Sequence, residues 1–217
     1  MKTDLSNILP EGTDLKRICD GKPRVIISSC LLGQTVRYDG GHKLLPTIGQ
    51  FLSPWLEIVG HCPEVAAGLG TPRPPIQLIQ TERGLTVRQV SPPYTDVTDV
   101  LRQANMDWQQ RQHRSPVAAI LKARSPSCGT GSSPLHNDRG EELPDMGSGI
   151  FSAHLQQHFP DALILDESSV ASRVQCQKLI VGCYLQQAAN HGQPVADSLK
   201  QHLKWQDATG LQGFFKA

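Results

Sequence analysis

With 217 residues the chain is long enough for one full domain, or one domain and an appendage, and short for two independent enzyme domains. Hydrophobic residues at 38%, aromatic residues at 5% and charged residues at 19% argue against disorder, collagen and coiled coil, while 19 Gly and 16 Pro mark a chain rich in turns. The 21 Lys+Arg against 20 Asp+Glu give a formal charge of +1 without any block of like charge, which disfavours a protein that holds long duplexes but leaves room for a local anion pocket.

Met1 to Pro23 carries Asp4, Glu11, Asp14, Lys16 and Arg17 and no apolar targeting segment, and no later run approaches the length of a membrane-spanning helix. The expectation is a soluble, cytoplasmic protein with no membrane partner. Six cysteines (Cys19, Cys30, Cys62, Cys128, Cys176 and Cys183) are too sparse for a disulfide scaffold. In a reducing compartment they serve as packing groups, nucleophiles or metal ligands.

After a lead over residues 1–23, Arg24 to Cys30 reads as a buried strand, and Leu56 to Cys62 as a second. Leu44 to Trp55 could form a helix broken by Pro46 and Pro54. Ile76 to Gln80 and Leu85 to Val90 flank Thr81-Glu-Arg-Gly84 and predict a β-hairpin inserted after the second strand. Val97, Val100, Leu101, Ala104 and Trp108 recur at helical spacing behind Asp96, a candidate N-cap, which predicts a helix over 96–113. Val117 to Lys122 and Ala162 to Asp166 are further apolar runs of strand length, separated by an amphipathic helix through Ile150, Phe151, His154, Leu155 and Phe159. From Ser168 the pattern is wholly helical, with Val170, Val174, Leu179, Cys183 and Leu185, then Leu199, Leu203 and Trp205. Apolar runs without alternation suit parallel strands covered on both faces. The fold class expected is α/β: a Rossmann-like, three-layer parallel sheet with a β-hairpin insertion and a C-terminal helical extension. The segments expected are 1–23 as lead, 24–167 as the main domain and 168–217 as the extension.

Cys30, Cys62 and Cys128 each lie just beyond the C-terminal end of a proposed strand. In an open parallel sheet that edge is where ligands bind. Three thiolates converging there would suit zinc or an iron-sulfur cluster, since soft ligands select those metals; the other reading is three small buried hydrophobes. Glu64 stands two residues after Cys62, within reach of a bound ligand as acid or base, and Ser125-Pro-Ser-Cys-Gly-Thr-Gly131 surrounds Cys128 with hydroxyls and flexible backbone. An ordinary surface loop would account for either feature taken alone.

Ser28-Ser-Cys-Leu-Leu-Gly33, Val36-Arg-Tyr-Asp-Gly-Gly41, Cys62-Pro-Glu-Val65, Gly70-Thr-Pro-Arg-Pro-Pro75, Asp96-Val-Thr98, Ile120 to Gly129 and Gly147-Ser-Gly149, taken in series, resemble the thiouracil desulfidase family over about residues 24–167. The resemblance implies a [4Fe-4S] cluster held by Cys30, Cys62 and Cys128, whose remaining iron takes sulfur from a thiolated pyrimidine. It further implies Glu64 as catalytic carboxylate and Ser125, or less readily Ser127, as the assisting hydroxyl. The small-molecule partner would be thiolated uracil as base, nucleoside or nucleotide, without a stable nucleic-acid complex. The sequence departs from the family pattern at Gln77, where an acidic residue is expected, at Leu135-His-Asn-Asp138, and in the tail from Ser168.

Arg37, Tyr38, Asp39 and Arg73, in Gly/Pro-rich loops, are candidate pocket walls or simple loop anchors. Gly147-Ser-Gly149 begins like a dinucleotide fingerprint but lacks its third glycine. His154 and His158 could bind zinc at i,i+4 spacing or form an exposed helix flank; Cys19, Cys176 and Cys183 read as packing residues. A noncatalytic iron-sulfur or zinc redox sensor competes with the enzyme, and Glu64 separates the two. A module for thiolated RNA would need a basic face with exposed aromatics, which this composition does not supply.

Overall fold

The structure, a computed structural model, describes residues 4–203; Trp205 and the rest of the tail beyond Leu203 lie outside the described residues. Strand β1 (Arg24–Ser28) is central in a four-stranded parallel sheet ordered β2-β1-β5-β8, with β2 over Glu57–His61, β5 over Ala118–Leu121 and β8 over Leu163–Asp166. Val25, Ile26 and Ile27, and all of β5, are buried, as expected where both faces of a sheet are covered. Val25 pairs with Ile58 on one side and Ala118 on the other, and Ala119 pairs with Ile164.

The pleat sends alternate side chains into two different layers. Ile26, Ala119 and Leu121 pack against Trp108 of α2 (Thr98–Gln110) and Phe151 and Leu155 of α3 (Ile150–His158). Val25, Ile27, Ala118 and Ile120 face the other way, onto α4 (Arg173–Asn190) and the lead residues Leu5, Leu9, Leu15 and Cys19. The three-layer parallel arrangement expected from sequence is therefore present. Helix α4 is apolar around most of its circumference because it is enclosed between the sheet, the lead and α5 (Asp197–His202). Two of its buried glutamines pin the lead: the Gln177 amide donates to Asn7 Oδ1 (3.1 Å) and to the Asp4 carbonyl, and the Gln187 amide to the Asp20 carbonyl (2.8 Å).

The hairpin forms as β3 (Ile76–Thr81) and β4 (Gly84–Gln89), but it does not stand alone. β3 also pairs in parallel with β6 (Ser133–His136), which pairs antiparallel with β7 (Glu142–Gly147), giving a second sheet ordered β4-β3-β6-β7. The predicted helix over 96–113 is shorter, because Val97 N–H donates to the Val87 carbonyl and Thr98 Oγ1 accepts from Val87 N–H. Residues 96–97 thus stay with the sheet, and Asp96 Oδ1 accepts from Thr98 N–H just ahead of the helix. The predicted broken helix over 44–55 is a π-helical turn at Ile48–Leu52.

Because α4 shares one apolar cluster with β1 and β5, Leu179→Ala should lower global stability by about 2–5 kcal/mol, read as a shift in a single urea transition. An unchanged transition would mean that α4 is an appendage of the sheet and not one of its layers.

Candidate functional site

The parallel register brings three distant cysteines to one edge. Ser28 pairs with His61 at the C-terminal ends of β1 and β2, so Cys30, in a 3-10 turn at Ser29–Leu32, and Cys62, which caps α1 (Pro63–Ala66), leave the sheet side by side. Cys128 follows β5 on a loop. All three line one cavity of about 450 Å³, together with Glu64, Arg73 and Ser125. Its facing wall comes from the second sheet through Gln77, Pro134 and His136.

The Cys128 loop is built from backbone hydrogen bonds. Ser125 Oγ accepts from Ser127 N–H (3.3 Å) and Cys128 N–H (3.1 Å), and the Ser125 carbonyl accepts from Gly129 N–H (2.8 Å) and Ser133 Oγ–H (2.6 Å). The first amides of α3 grip the same loop: Gly149 N–H donates to Gly129, Ile150 N–H to Pro126 and Phe151 N–H to Ser127 carbonyls, at 2.8–3.1 Å. A Cβ on Gly149 would lie 2.4 Å from Ser127 C and 2.6 Å from Cys128 N. Gly149 is thus a close-packing position for the Cys128 loop, whereas Gly147 packs against the Leu135 side chain. Ser125 lines the cavity, whereas Ser127 is fully buried with an unpartnered hydroxyl.

Glu64 and Arg73 form a nearly enclosed ion pair, with side chains 12% and 4% exposed. Arg73 Nε and Nη2 both reach Glu64 Oε2, at 2.8 and 2.7 Å, while Arg73 Nη1 holds the Gly70 carbonyl (2.8 Å). Neither guanidinium contact uses Oε1. Lys122 pairs with Glu167, and Arg37 with the exposed Asp39 at 3.4 Å. Arg37, Lys43, Lys122 and Arg124 also line the cavity; among the described residues its only lining carboxylate is Glu64, so their net charge is positive.

Burial pushes all three cavity thiols above their ordinary range, Cys30 to about 11, with mutual repulsion adding to the shift for Cys30 and Cys128. As isolated thiols they are neutral near pH 7; only an adjacent metal would favour three thiolates in so confined a space. That requirement, together with the surrounding cations, fits a cluster-type metal centre. Among the described residues no three His, Cys, Asp or Glu side chains gather closely enough to hold a metal ion as they stand. His61 lines the cavity with its ring against Trp108 (5.1 Å) and Phe151 (4.7 Å); burial lowers its pKa to about 4, and its Nε2 has no partner.

Of the residues singled out from sequence, Arg37, Tyr38 and Arg73 line the cavity and Asp39 does not. His154 and His158 stack on each other at 4.2 Å on α3, away from the site. Cys19, Cys176 and Cys183 are buried in the α4 layer, and all six cysteines are free. Sequence reasoning missed the Glu64–Arg73 pair, His61 and the wall from the second sheet. An Arg nine residues after the Glu and a His just before Cys62 were visible, but nothing local gave their geometry.

A covered parallel sheet with chemically active side chains gathered at its C-terminal edge defines an α/β protein with a small-molecule site. Comparison supplies the particular family: residues 25–167 match the family described as 2-thiouracil desulfurase, and the chain belongs to it. It is 30% identical over 138 residues to the uncharacterized protein YbbK of Bacillus subtilis (strain 168), an alignment spanning 61% of this chain and 89% of that protein. Among solved structures it resembles the [4Fe-4S]-dependent thiouracil desulfidase TudS, with a TM-score of 0.54 and 31% identity over 73% of this chain and 99% of that one.

The Gly149 contact makes a sharp expectation. Gly149→Ala should displace the Cys128 loop, lower stability by about 1–3 kcal/mol and reduce iron uptake on anaerobic reconstitution. Normal melting together with full iron content would show that the loop does not depend on this close approach.

Proposed function

We propose that this protein is an iron-sulfur-dependent desulfidase that converts thiolated uracil, as base, nucleoside or nucleotide, to the oxo form with release of sulfide. The observation that carries this reading is the convergence of Cys30, Cys62, Cys128 and Glu64 on one cavity in a chain of the 2-thiouracil desulfurase family. The three cysteines would hold a [4Fe-4S] cluster. Such a cluster supplies an iron free of protein ligands, a Lewis acid that prefers the sulfur of a C=S group to oxygen.

The protein groups then have definable tasks. The overall reaction is hydrolytic: a C=S carbon gains the oxygen of water, sulfur departs as hydrogen sulfide, and no electron is transferred. Glu64 accepts a proton from the attacking water, and its Oε1 is the atom for this because Arg73 occupies Oε2. Arg73 fixes the carboxylate's orientation. Ser125 accepts two backbone hydrogen bonds through Oγ, so its remaining capacity is to donate. Its O–H would deliver a proton toward the departing sulfur or the ring nitrogen. The positive cavity would complement a thiolate-ligated cluster and any anionic substrate group.

Among the described residues no helix is long and apolar enough to cross a membrane. A reducing cytoplasm is the compartment we assign, consistent with six free thiols.

Anaerobic reconstitution tests the ligand set. Cys30→Ser, Cys62→Ser or Cys128→Ser should remove most cluster absorbance, and the same changes at Cys19, Cys176 or Cys183 should leave it. A second test separates enzyme from redox sensor. Glu64→Gln should cut sulfide release from thiouracil by a factor of ~10² to 10⁴ with the cluster spectrum intact. Near-normal turnover in that variant would remove Glu64 from the mechanism, and a wild-type protein that binds the cluster but releases no sulfide would favour the sensor.

A further inference from the structure

The wall facing the cysteines has a polarity that the mechanism above does not use. On β3 and β6 the pleat turns Leu78 and Leu135 into an apolar cluster with Val87 and Leu101. Gln77 and His136 lie on the opposite face, and both line the cavity. His136 Nδ1 sits 3.3 Å from the Leu78 carbonyl oxygen, which can only accept, so Nδ1 carries the proton in the neutral ring. Nε2 of that tautomer is an acceptor. The Gln77 amide lies beside Gly140, and no protein group hydrogen-bonds it among the described residues. The wall therefore offers a fixed acceptor next to an adaptable amide.

We infer that Gln77 and His136 are the specificity-determining pair of this site and read the Watson–Crick edge of a neutral uracil-type ring. This rests on the desulfidase reading for the reaction, but not for the binding. His136 Nε2 accepts the ring N3–H, and the Gln77 amide donates to the carbonyl oxygen next to it. A uracil carrying one sulfur still presents N3–H between its thiocarbonyl and its remaining carbonyl, so either sulfur position satisfies the pair. A cytosine-type ring has an unprotonated N3 and places a lone pair against the lone pair of His136 Nε2. The substrate class assigned is N3-protonated thiopyrimidines, and thiocytosines and N3-methylated rings are excluded.

The experiment uses the cluster-loaded protein, with uracil and 3-methyluracil as calorimetric ligands and thiouracil and its N3-methyl derivative as substrates. In the wild type, N3 methylation should weaken binding and lower kcat/KM by about tenfold or more, the loss of one well-placed hydrogen bond and the space for its partner. His136→Asn keeps a side-chain amide that can donate to the Leu78 carbonyl but has no acceptor at the position of Nε2. This variant should bind uracil about tenfold more weakly and lose most of the discrimination against methylation, with the cluster spectrum unchanged. Gln77→Leu should weaken uracil by a similar factor while keeping the N3-methyl penalty. Wild-type protein that shows no methylation penalty, or a penalty equally large in His136→Asn, would overturn the proposal, as would a failure of the wild type to bind uracil. If the penalty and its loss in His136→Asn appear in binding while no sulfide is released, the recognition stands and the desulfidase reading falls.

Discussion

Everything at this site depends on the parallel pairing of β2 and β5 with the two edges of β1. Parallel neighbours end on the same side of a sheet, so the loops after β1, β2 and β5 leave in one direction and their cysteines meet. An antiparallel neighbour would send its loop to the opposite end. The pairing in turn requires β1 to be covered on both faces, which is why its three central residues are fully buried and why the chain supplies a helical layer on each side. The lead and α4 are therefore tied to the chemistry: they cover the strand that positions the site's residues, and Cys30 belongs to the same apolar cluster.

The second sheet completes what the first begins. The parallel sheet contributes the residues proposed to hold metal and activate water, whereas β3 and β6 contribute a wall of hydrogen-bonding groups. The proposed reaction and recognition thus fall on separate sheets, joined where Ser133 of β6 donates to the Ser125 carbonyl in the Cys128 loop. The departures at Gln77 and His136 from the family's usual pattern fall on this wall.

Much of the parallel sheet was legible in the sequence because its strands are short, continuously apolar and closed by turn residues, signals that depend only on local composition. The three cysteines could be grouped for the same reason, since each directly follows such a run or the loop beyond it. The strands β6 and β7 were not legible. Ser133-Pro-Leu-His136 and Glu142-Leu-Pro-Asp-Met-Gly147 contain proline and polar residues; what makes β6 a strand is pairing with β3, more than fifty residues away, and β7 forms by pairing with β6 in turn. The role of Arg73 was hidden likewise: its guanidinium meets Glu64 only because the Gly/Pro-rich loop folds back over α1. Gly147 and Gly149 were recognisable as a motif, but the close approach of Gly147 to the Leu135 side chain and of Gly149 to the Ser127–Cys128 backbone is visible only once the segments are placed.

The burial of the cavity thiols has a consequence for assembly. Without a metal, burial keeps Cys30, Cys62 and Cys128 as neutral thiols, poor nucleophiles toward oxidants and alkylating agents at neutral pH. The chamber is quiet until it is filled. Filling it with the proposed cluster would expel one proton for each thiolate formed, coupling delivery to proton release and easing it as pH rises. The same apolar confinement that keeps the thiols inert would make the proposed maturation an exchange of protons for iron.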